Sequence, residues 1–324
     1  MNLGDSIYGY WSISTPVLVD LLKSEPMQRI KGVMQSGLQR NWTKFKPYSR
    51  YDHCVGVLLL LKRLGASLEE QVAGLLHDVS HTAFSHVIDY VFGPTAEHDF
   101  QDRHHEEYVR KTGLLDILKK HGLPERCALQ LHEYPLLEQS APQLCADRID
   151  YTLRSALNEK IIDSARPFLS ALAVRDNRIV FTSREPAEQF WNVYADRQDN
   201  HWGSSHHVAK YELLARAIKA GLDDRLLAMD DLYQTDKHVL EKLRASPNDT
   251  IKKSLHLLDN GFRIVETAEA PPYVLKKKFR YIDPAFLDGD RVRALSETMP
   301  QYAGWCETSR RKHEADLGVR IEPA

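Results

Sequence analysis

The stretch Gly74–His86, GLLHDVSHTAFSH, holds three histidines and one aspartate within thirteen residues, at the end of an apolar run. Residues i and i+4 share a helix face, so His77 and His81 align if the helix continues, with Asp78 about 100° round the axis. At a helix end, one turn can present His77 and Asp78 to a common point. Imidazole with carboxylate suits manganese, iron, zinc or magnesium better than calcium. The stretch therefore predicts part of a metal site.

Two other predicted helices offer the ligands that such a site still needs. His53 lies in SRYDHCVGV, within an apolar helix predicted over residues 51–64. Asp147 lies in LCADRIDYTLR, within a helix predicted over residues 141–158. Tyr151 follows Asp147 at i+4 and would lie on the same helix face, so that a carboxylate and a phenol point at one pocket.

The alternative interpretation of His77-Asp78 is a core histidine beside a capping aspartate. A chain with fifteen histidines is expected to hold about one such pair by chance, and His98-Asp99 is a second one. A metal site is favoured because a histidine in the preceding helix and an aspartate in a later helix accompany the first pair.

The segments SRYDHCVGV, AGLLHDVSHTAFSH and ADRIDYTLR together resemble the HD-domain metal-dependent phosphohydrolase superfamily. More narrowly they resemble its deoxynucleoside triphosphate triphosphohydrolase branch, the dNTPases with SAM and HD domains. The family pattern runs approximately R-[FY]-x-H-S-x-G-V, H-D-[LIV]-x-H-x-P-F-S-H, a short H-E, and D-x-x-D-Y. The resemblance covers about two thirds of the chain. It implies hydrolysis of a dNTP to deoxynucleoside and triphosphate by metal-activated water.

The resemblance also implies three groups of site residues. The metal ligands are His53, His77, Asp78 and Asp147. The catalytic residues are His81, Asp89, His86 and His105. The substrate-binding residues are Arg50, Arg148, Tyr151 and Gln35. The implied cofactor is a divalent transition metal, manganese, iron or zinc, with magnesium in some members beside the substrate phosphates.

Individual roles follow from the same resemblance. His81 and Asp89 match a pair near the attacking water or the α-phosphate, in which Asp89 orients the histidine. His86 matches a histidine near the leaving oxygen, and His105, in the H-E motif, matches one that contacts phosphate. Gln35 matches a glutamine that senses the sugar 3′-hydroxyl.

Cations are needed along the phosphate oxygens of an in-line displacement at phosphorus. Arg50 matches a phosphate-binding arginine, and Arg148 stands where the family often has lysine. Tyr151 matches a tyrosine that touches phosphate or sugar. The alternative is that Arg148 and Tyr151 pair with Asp150 and pack in the core.

The chain departs from the family pattern on the substrate side. Ser155 stands where an aspartate often touches the sugar, and Thr82 and Ala83 replace two residues of the H-G-P-F-S-H form. His206 and His207 replace residues of a Tyr-Gln-His-Lys segment, and no regulatory SAM domain is found. These changes do not affect the four predicted metal ligands. They leave open which base, which sugar and how many phosphates the substrate has.

Most of the chain has the apolar spacing of helices. Ser67 and Glu70 are spaced as in a capping box and predict the start of the helix that carries EEQVAGLLHD. Asp176-Asn177 separates two alternating apolar runs and predicts a β-hairpin. Further helices are predicted over residues 27–37, 101–121, 125–137 and 185–220. The segment KKKFR, residues 276–280, is predicted as a solvated strand edge, since lysine protects exposed edges.

We therefore expect a mainly α fold. An HD-domain helical bundle occupies residues 1–245, with core motifs over residues 26–160 and the hairpin over residues 168–183. A small C-terminal α/β appendage occupies residues 246–324.

Composition narrows the partners. The net charge of −2 gives no bulk basic field for binding nucleic acid. The four cysteines are scattered and form no CxxC pair, which predicts reduced thiols and not disulfides or a zinc site. The N-terminus lacks the features of a signal peptide, and the run CVGVLLLL is too short to span a bilayer. We expect a cytoplasmic protein with a nucleotide substrate, no membrane partner, and a dimer or higher homo-oligomer, as the family resemblance implies.

Three alternatives stay open at this stage. Another HD-type nucleotide phosphomonoesterase or phosphodiesterase is the nearest. A nucleic-acid-binding protein with little turnover would use KKKFR and the aromatic loop NWTKFKPY. A mixed-valence di-iron oxygenase would need further metal ligands, such as His81 and His105.

Overall fold

The computed structural model describes residues 1–92 and 100–324, and the pair His98-Asp99 lies outside them. The chain is mainly helical, and its helices within the described ranges are α1 Pro16–Lys23, α2 Glu25–Arg29, α3 Arg50–Arg63, α4 Leu68–Leu76, α5 Val87–Val91, α6 Phe100–Lys111, α7 Leu114–Lys120, α8 Arg126–Leu129, α9 Ala146–Asn158, α10 Arg166–Ser170, α11 Arg184–Arg197, α12 Ser205–Asp223, α13 Met229–Leu232, α14 Asp236–Ala245, α15 Asp249–Asn260 and α16 Gln301–Glu314. The strands are β1 Asn2–Asp5, β2 Gly9–Ser12, β3 Leu172–Arg175, β4 Arg178–Phe181, β5 Phe262–Glu266, β6 Tyr273–Leu275, β7 Ala285–Asp288, β8 Arg291–Ala294 and β9 Leu317–Pro323. None of the described helices is long and apolar enough to cross a membrane.

Small sheets flank the helices. β1 and β2 form an N-terminal hairpin that the sequence did not predict, and β9 pairs with β5 on one side and β6 on the other. β3 and β4 pair antiparallel. Asp176 and Asn177 join them with φ of 52° and 57°, the left-handed values that a type I′ turn needs.

Contacts cross the predicted boundary after residue 245. β7 lies parallel to β4 in one sheet, with Phe181 opposite Phe286. α15 packs against α12 in a shared apolar cluster. The division into residues 1–245 and 246–324 stays a prediction, and residues from both sides of it contribute to the same core.

Several predicted helices are shorter than expected. The helix predicted over residues 101–121 is divided into α6 and α7, because Gly113 adopts a left-handed φ of 71°. The helix predicted over residues 185–220 is interrupted by a π-helical turn at Gln198–Trp202. The helix predicted over residues 125–137 is largely wrong, since only α8 and the 3₁₀ turn Leu131–Glu133 form.

Two other corrections bear on the site. α9 begins at Ala146, not near residue 141. The backbone amides of Ala146 and Asp147 donate to the carbonyls of Leu136 and Leu137, and not to carbonyls four residues earlier as a longer helix would require.

The helix predicted over residues 27–37 ends early, and residues 33–35 then run beside residues 48–50. The Gln35 amide donates to the carbonyl of Tyr48 at 2.9 Å, which holds Gln35 beside the start of α3.

α3 is the central element of the bundle. Eleven of its fourteen residues are buried, and it packs against both α4 and α9. Leu58 belongs to an apolar cluster with α1 and α4, whereas Val57 belongs to one with α9. A helix that is apolar almost all round is held on several sides, so its polar residues are fixed in position.

Glu70 does not complete the predicted capping box. Ser67 accepts a hydrogen bond from the Glu70 amide at 3.2 Å, as expected for an N-cap. The buried Glu70 carboxylate instead accepts from the amides of Leu136 and Leu137, at 2.7 and 3.2 Å. This side chain therefore ties α4 to the segment that leads into α9.

We predict that Glu70→Ala lowers the free energy of unfolding by about 2 kcal/mol, because two buried amides lose their acceptor. Urea denaturation followed by circular dichroism measures the change. Glu69→Ala is the matched control on the same helix turn. Glu69 forms a surface pair with Arg126, so its loss should cost less than about 1 kcal/mol. Equal losses for the two variants would contradict the assigned role of Glu70.

Candidate metal centre and its cavity

Three helices bring ligand-type side chains to one point. His53 lies in the first turn of α3, His77 and Asp78 directly follow α4, and Asp147 is the second residue of α9. His53 Nε2 lies 3.2 Å from His77 Nε2 and 3.0 Å from Asp147 Oδ1. Asp78 Oδ2 lies 3.5 Å from the Nε2 atom of each histidine. Asp147 Oδ1 lies 3.6 Å from His77 Nε2. The structure thus brings together the four residues that the sequence predicts as metal ligands.

The opposite ring nitrogen of each histidine is held by an acceptor. His53 Nδ1 lies 2.7 Å from Asp150 Oδ2. His77 Nδ1 lies 2.8 Å from the carbonyl oxygen of Gly74. A carbonyl oxygen only accepts, and so does an ionised carboxylate, so both Nδ1 atoms carry hydrogen. In the neutral imidazoles, both Nε2 atoms then present lone pairs to the same point.

This arrangement requires positive charge. Burial alone would lower the pKa of His77, but the neighbouring Asp78 and Asp147 raise it to about 9. Burial also opposes ionisation of Asp147, yet hydrogen bonds from His53 and His77 bring its pKa well below the usual range. The lone pairs and carboxylates repel one another unless a proton or a cation lies between them.

Asp150 and Arg154 support His53 from behind. Both are buried, and Arg154 pairs with Asp150 at 2.9 Å and with Asp5 at 3.0 Å. Gly56 on α3 makes room for them, since a Cβ there would lie 2.1 Å from Asp150 Oδ1 and 2.1 Å from Arg154 Nη2. Any side chain at residue 56 would push α3 away from α9.

The guanidinium of Arg50 points towards Asp78, one of the four candidate ligands. It is almost completely buried, and its Nη1 donates to Asp78 Oδ2. Its Nε donates to Ser85 Oγ at 2.9 Å. The charge of Arg50, against the cost of burial, holds the pKa of Asp78 well below its usual range. Arg50 lines the cavity, but its guanidinium is already paired with a carboxylate.

The predicted pairing of Asp89 with His81 is wrong. Asp89 Oδ2 lies 3.1 Å from His86 Nδ1, so Asp89 orients His86 instead. His81 Nε2 lies 3.3 Å from Asp78 Oδ1, and its Nδ1 is buried with no partner in the described ranges. Burial and the charge of Arg50 lower the pKa of His81 to about 3. Asp89 lies on α5, three residues after His86, and side chains with this spacing lie side by side on a helix, which explains why Asp89 pairs with His86.

His105 is enclosed by protein partners. Its Nδ1 lies 2.8 Å from Ser80 Oγ, and its Nε2 lies 2.8 Å from the carbonyl oxygen of Ala128. It borders the cavity, yet contact with phosphate would require one of these bonds to break. Its role as a phosphate ligand stays a prediction that this conformation does not favour.

The predicted substrate-binding residues border the same cavity, but they differ in whether their side chains already have hydrogen-bond partners in the protein. Arg148 Nη1 donates to the carbonyls of Gln139 and Gln143, at 2.7 and 3.0 Å, which turns it towards the protein. The Tyr151 hydroxyl lies 3.1 Å from that of Tyr194. The side-chain oxygen of Gln35 is buried without a hydrogen-bond partner in the described part of the chain. Within the described residues, Gln35 therefore has a side-chain oxygen that is left to accept a hydrogen bond from a ligand.

A cavity of about 840 Å³ opens over these residues, enough for a nucleotide-sized ligand. Its far wall comes from the second half of the chain, including His201, Trp202, His207 and residues 278–281. The prediction of a solvated strand edge at KKKFR is therefore wrong. β6 ends at Leu275, and the residues after it turn towards the cavity.

Sequence reasoning missed three groups at this site. Asp150 is the partner of His53 and Arg154, not of Arg148 or Tyr151. The i+4 spacing from Asp150 to Arg154 was the available signal. Tyr194 and Arg280 come from distant segments, and nothing in their local sequence indicates the cavity.

Comparison with known proteins agrees with this geometry. The model of the HD domain family matches residues 50–155, which contain all four candidate ligands. The crystal structure of a phosphohydrolase from Bacteroides thetaiotaomicron superposes over the full length of both chains, with a TM-score of 0.69 and 18% identity. This likeness shows a shared fold.

Three relatives are similar in sequence. The chain is 41% identical to the uncharacterized protein YdhJ of Bacillus subtilis, over 94% of this chain and 97% of the relative. It is 34% identical to the metal-dependent phosphohydrolase cns2 of Cordyceps militaris, over 86% and 83%. It is 29% identical to the deoxynucleoside triphosphate triphosphohydrolase SAMHD1 of Bos taurus, over only 40% and 26%. The chain is a hydrolase that belongs to the HD-domain metal-dependent phosphohydrolases.

Proposed function

We propose that this protein hydrolyses a nucleotide phosphoester with a divalent metal held by His53, His77, Asp78 and Asp147. The first candidate reaction converts a dNTP to deoxynucleoside and triphosphate. The observation that carries the proposal is the convergence of two imidazole lone pairs and two carboxylates at the base of a nucleotide-sized cavity.

The donor set fits a first-row transition metal. Bonds of about 2.0–2.2 Å to one ion place neighbouring donors roughly 3–3.6 Å apart. The donor atoms of this site are separated by 3.0 to 3.6 Å. Mixed nitrogen and oxygen donors suit manganese, iron or zinc, with magnesium beside the phosphates. Asp78 would share Oδ2 between Arg50 and the ion. Such an ion, when bound, lowers the pKa of a coordinated water towards neutrality.

The chain's own residues then orient water and substrate. The buried Nδ1 of His81 has no hydrogen-bond partner among residues 1–92 and 100–324, and it offers a hydrogen-bonding position beside the metal group. His86, oriented by Asp89, stands next to it with ring centroids 5.1 Å apart. This position supports the proposed role of His86, which is to give a proton to a leaving oxygen. Arg50 keeps Asp78 ionised and adds positive charge beneath the reacting phosphate.

Two observations support a nucleoside moiety in the cavity. The side-chain oxygen of Gln35 lacks a partner in the described residues, which fits the sugar-sensing role that the family resemblance implies. Tyr151, Tyr194 and Trp202 supply aromatic surface on the opposite wall, with Trp202 edge-on to both tyrosines at 5.2 and 5.3 Å. The partial similarity to SAMHD1 supports a dNTP as the first substrate to test.

A second candidate is a phosphomonoesterase or phosphodiesterase acting on a shorter phosphate chain. Arg148 is hydrogen-bonded to backbone carbonyls, and the Ser155 hydroxyl donates to Glu159 at 3.0 Å. Arg148 was expected to bind phosphate, and Ser155 stands where the family often has an aspartate that touches the sugar. The engagement of both side chains within the protein favours a smaller ligand. The nucleic-acid-binding alternative loses support, because residues 278–281 border the cavity. A homo-oligomer, dimer or higher, stays a prediction.

We predict that the purified protein with Mn²⁺, Fe²⁺, Co²⁺ or Mg²⁺ releases product from a panel of nucleotides. Chromatography should detect deoxynucleoside and triphosphate from dNTPs. Release of orthophosphate and nucleoside from monophosphates would favour the second candidate. A panel without any hydrolysis under all four metals would overturn the proposed function.

We predict that His77→Ala combined with Asp78→Ala abolishes product release, because two of the four ligands are lost. The same chromatographic assay measures it. His104→Ala is the matched control, since His104 lies on α6, pairs with Glu107 at 3.7 Å, packs on the ring of Phe100 and does not border the cavity. Full activity in the double variant would remove the metal group from the mechanism.

We predict that Asp150→Asn weakens Mn²⁺ binding by about 10- to 100-fold, because an amide holds His53 Nδ1–H less firmly than a carboxylate. Isothermal titration calorimetry measures the affinity. Asp5, which pairs with Arg154 in the parent protein, should keep Arg154 paired in this variant and so preserve the fold. Asp163→Asn, an exposed change after α9, should bind Mn²⁺ like the parent protein. Unchanged affinity of Asp150→Asn would refute the supporting role.

A further inference from the structure

Residues 276–283 form an irregular segment that is held firmly across the cavity. Tyr90, Gln198 and Tyr302 donate side-chain hydrogen bonds to the backbone carbonyls of residues 276, 278 and 282, at 3.2, 3.0 and 3.0 Å. Gln198 and Tyr302 are buried. The segment is thus positioned by the helical core, although it belongs to no helix or strand.

The residues on both sides of Arg280 are clamped. The rings of Phe279 and Tyr281 stack with centroids 5.4 Å apart. Arg310 of α16 lies over both rings, at 5.1 and 5.4 Å from their centroids. The backbone of Arg280 is therefore fixed by its two neighbours, and α16 holds the outer side of the segment with a different arginine.

Arg280 is half-buried and borders the cavity. Two other arginines that border the cavity have protein partners, since Arg50 binds Asp78 and Arg148 binds backbone carbonyls. For Arg280, the described residues supply no ion pair and no side-chain hydrogen bond. An arginine held at a cavity wall without an anionic partner attracts an oxyanion to that wall.

The charge of Arg280 reaches groups near the candidate metal centre. Burial lowers the pKa of His86, and the charges of Arg50 and Arg280 lower it further, against the opposing effect of Asp89. Arg280 likewise adds to the lowering of the pKa of His207, after burial and other cations. Its field therefore covers the side of the cavity that His86 borders.

We propose that Arg280 binds an oxyanion of the substrate's phosphate chain, on the His86 side of the candidate metal centre. The inference rests on the proposed function, because that function puts a phosphate chain in this cavity. Arg280 would supply there the cationic contact that Arg148, turned to backbone carbonyls, does not make. It is a substrate-binding residue contributed by the C-terminal part of the chain.

Binding of inorganic tripolyphosphate to the full chain tests the inference without turnover. Calorimetric titration in EDTA removes any contribution of a metal. Arg280→Gln should weaken binding at least about tenfold, the effect of losing one charge-assisted contact. Arg263→Gln is the control, because Arg263 of β5 forms an exposed pair with Glu322 and does not border the cavity. Its affinity should change less than about twofold. Arg280→Lys should fall between, because lysine keeps the charge but loses the fork of donors.

A second measurement uses the unaltered protein, in case Arg280→Gln does not fold. Phenylglyoxal modifies accessible arginines, and mass spectrometry reads each site. Tripolyphosphate should slow the modification of Arg280 and leave that of Arg310 unchanged. Equal affinity of the parent protein and Arg280→Gln, absence of binding by the parent protein, or equal labelling with and without tripolyphosphate overturns the inference. A protein that binds tripolyphosphate through Arg280 but hydrolyses no nucleotide would refute the proposed function alone.

Discussion

Two imidazole nitrogens and two carboxylates meet in a largely buried space where α3, α4 and α9 converge. Such a group is unstable in a protein interior unless positive charge lies within it. The surrounding structure holds the four side chains in position around the place where that positive charge would lie. α3 is buried almost all round, Gly56 lets α9 approach it, and Asp150 holds His53 with its lone pair towards the centre. Glu70 ties α4 to the segment that leads into α9, so that His77 and Asp147 keep their relative positions.

Cations are arranged around this group at increasing distance. Arg50 touches Asp78 directly, and Arg154 stands behind Asp150 with Asp5 as a second partner. Arg148 donates its hydrogen bonds to backbone carbonyls, so it offers few donors to a ligand on the open side of the cavity. Arg280 faces that side with no partner in the described ranges. The arginines near the metal group are thus paired within the protein, whereas Arg280 on the cavity wall is left for a ligand.

The metal group was predictable from sequence because each ligand sits in a strongly patterned segment. His77 and Asp78 follow a helix whose start Ser67 marks. His53 lies in an apolar helix, and Asp147 lies in an amphipathic one. What sequence could not predict depends on distant contacts. The hydrogen bonds of Glu70 to Leu136 and Leu137 replace a local capping box, and nothing in the spacing of Ser67 and Glu70 indicates this. Arg148 looks like a phosphate ligand in sequence, but the loop before α9 offers it carbonyl oxygens first. The segment at residues 276–280 looks like a charged strand edge, but contacts from Tyr90, Gln198 and α16 hold it as part of the cavity wall.

The most direct test is a crystal of the protein soaked in Mn²⁺ and measured near the manganese absorption edge. The account predicts one strong anomalous peak about 2.1 Å from His53 Nε2, His77 Nε2 and an oxygen of Asp147. Asp78 should complete the same coordination sphere while still contacting Arg50. A peak held by other residues, such as Glu138 and Cys145, or no peak at this position, would contradict the central claim.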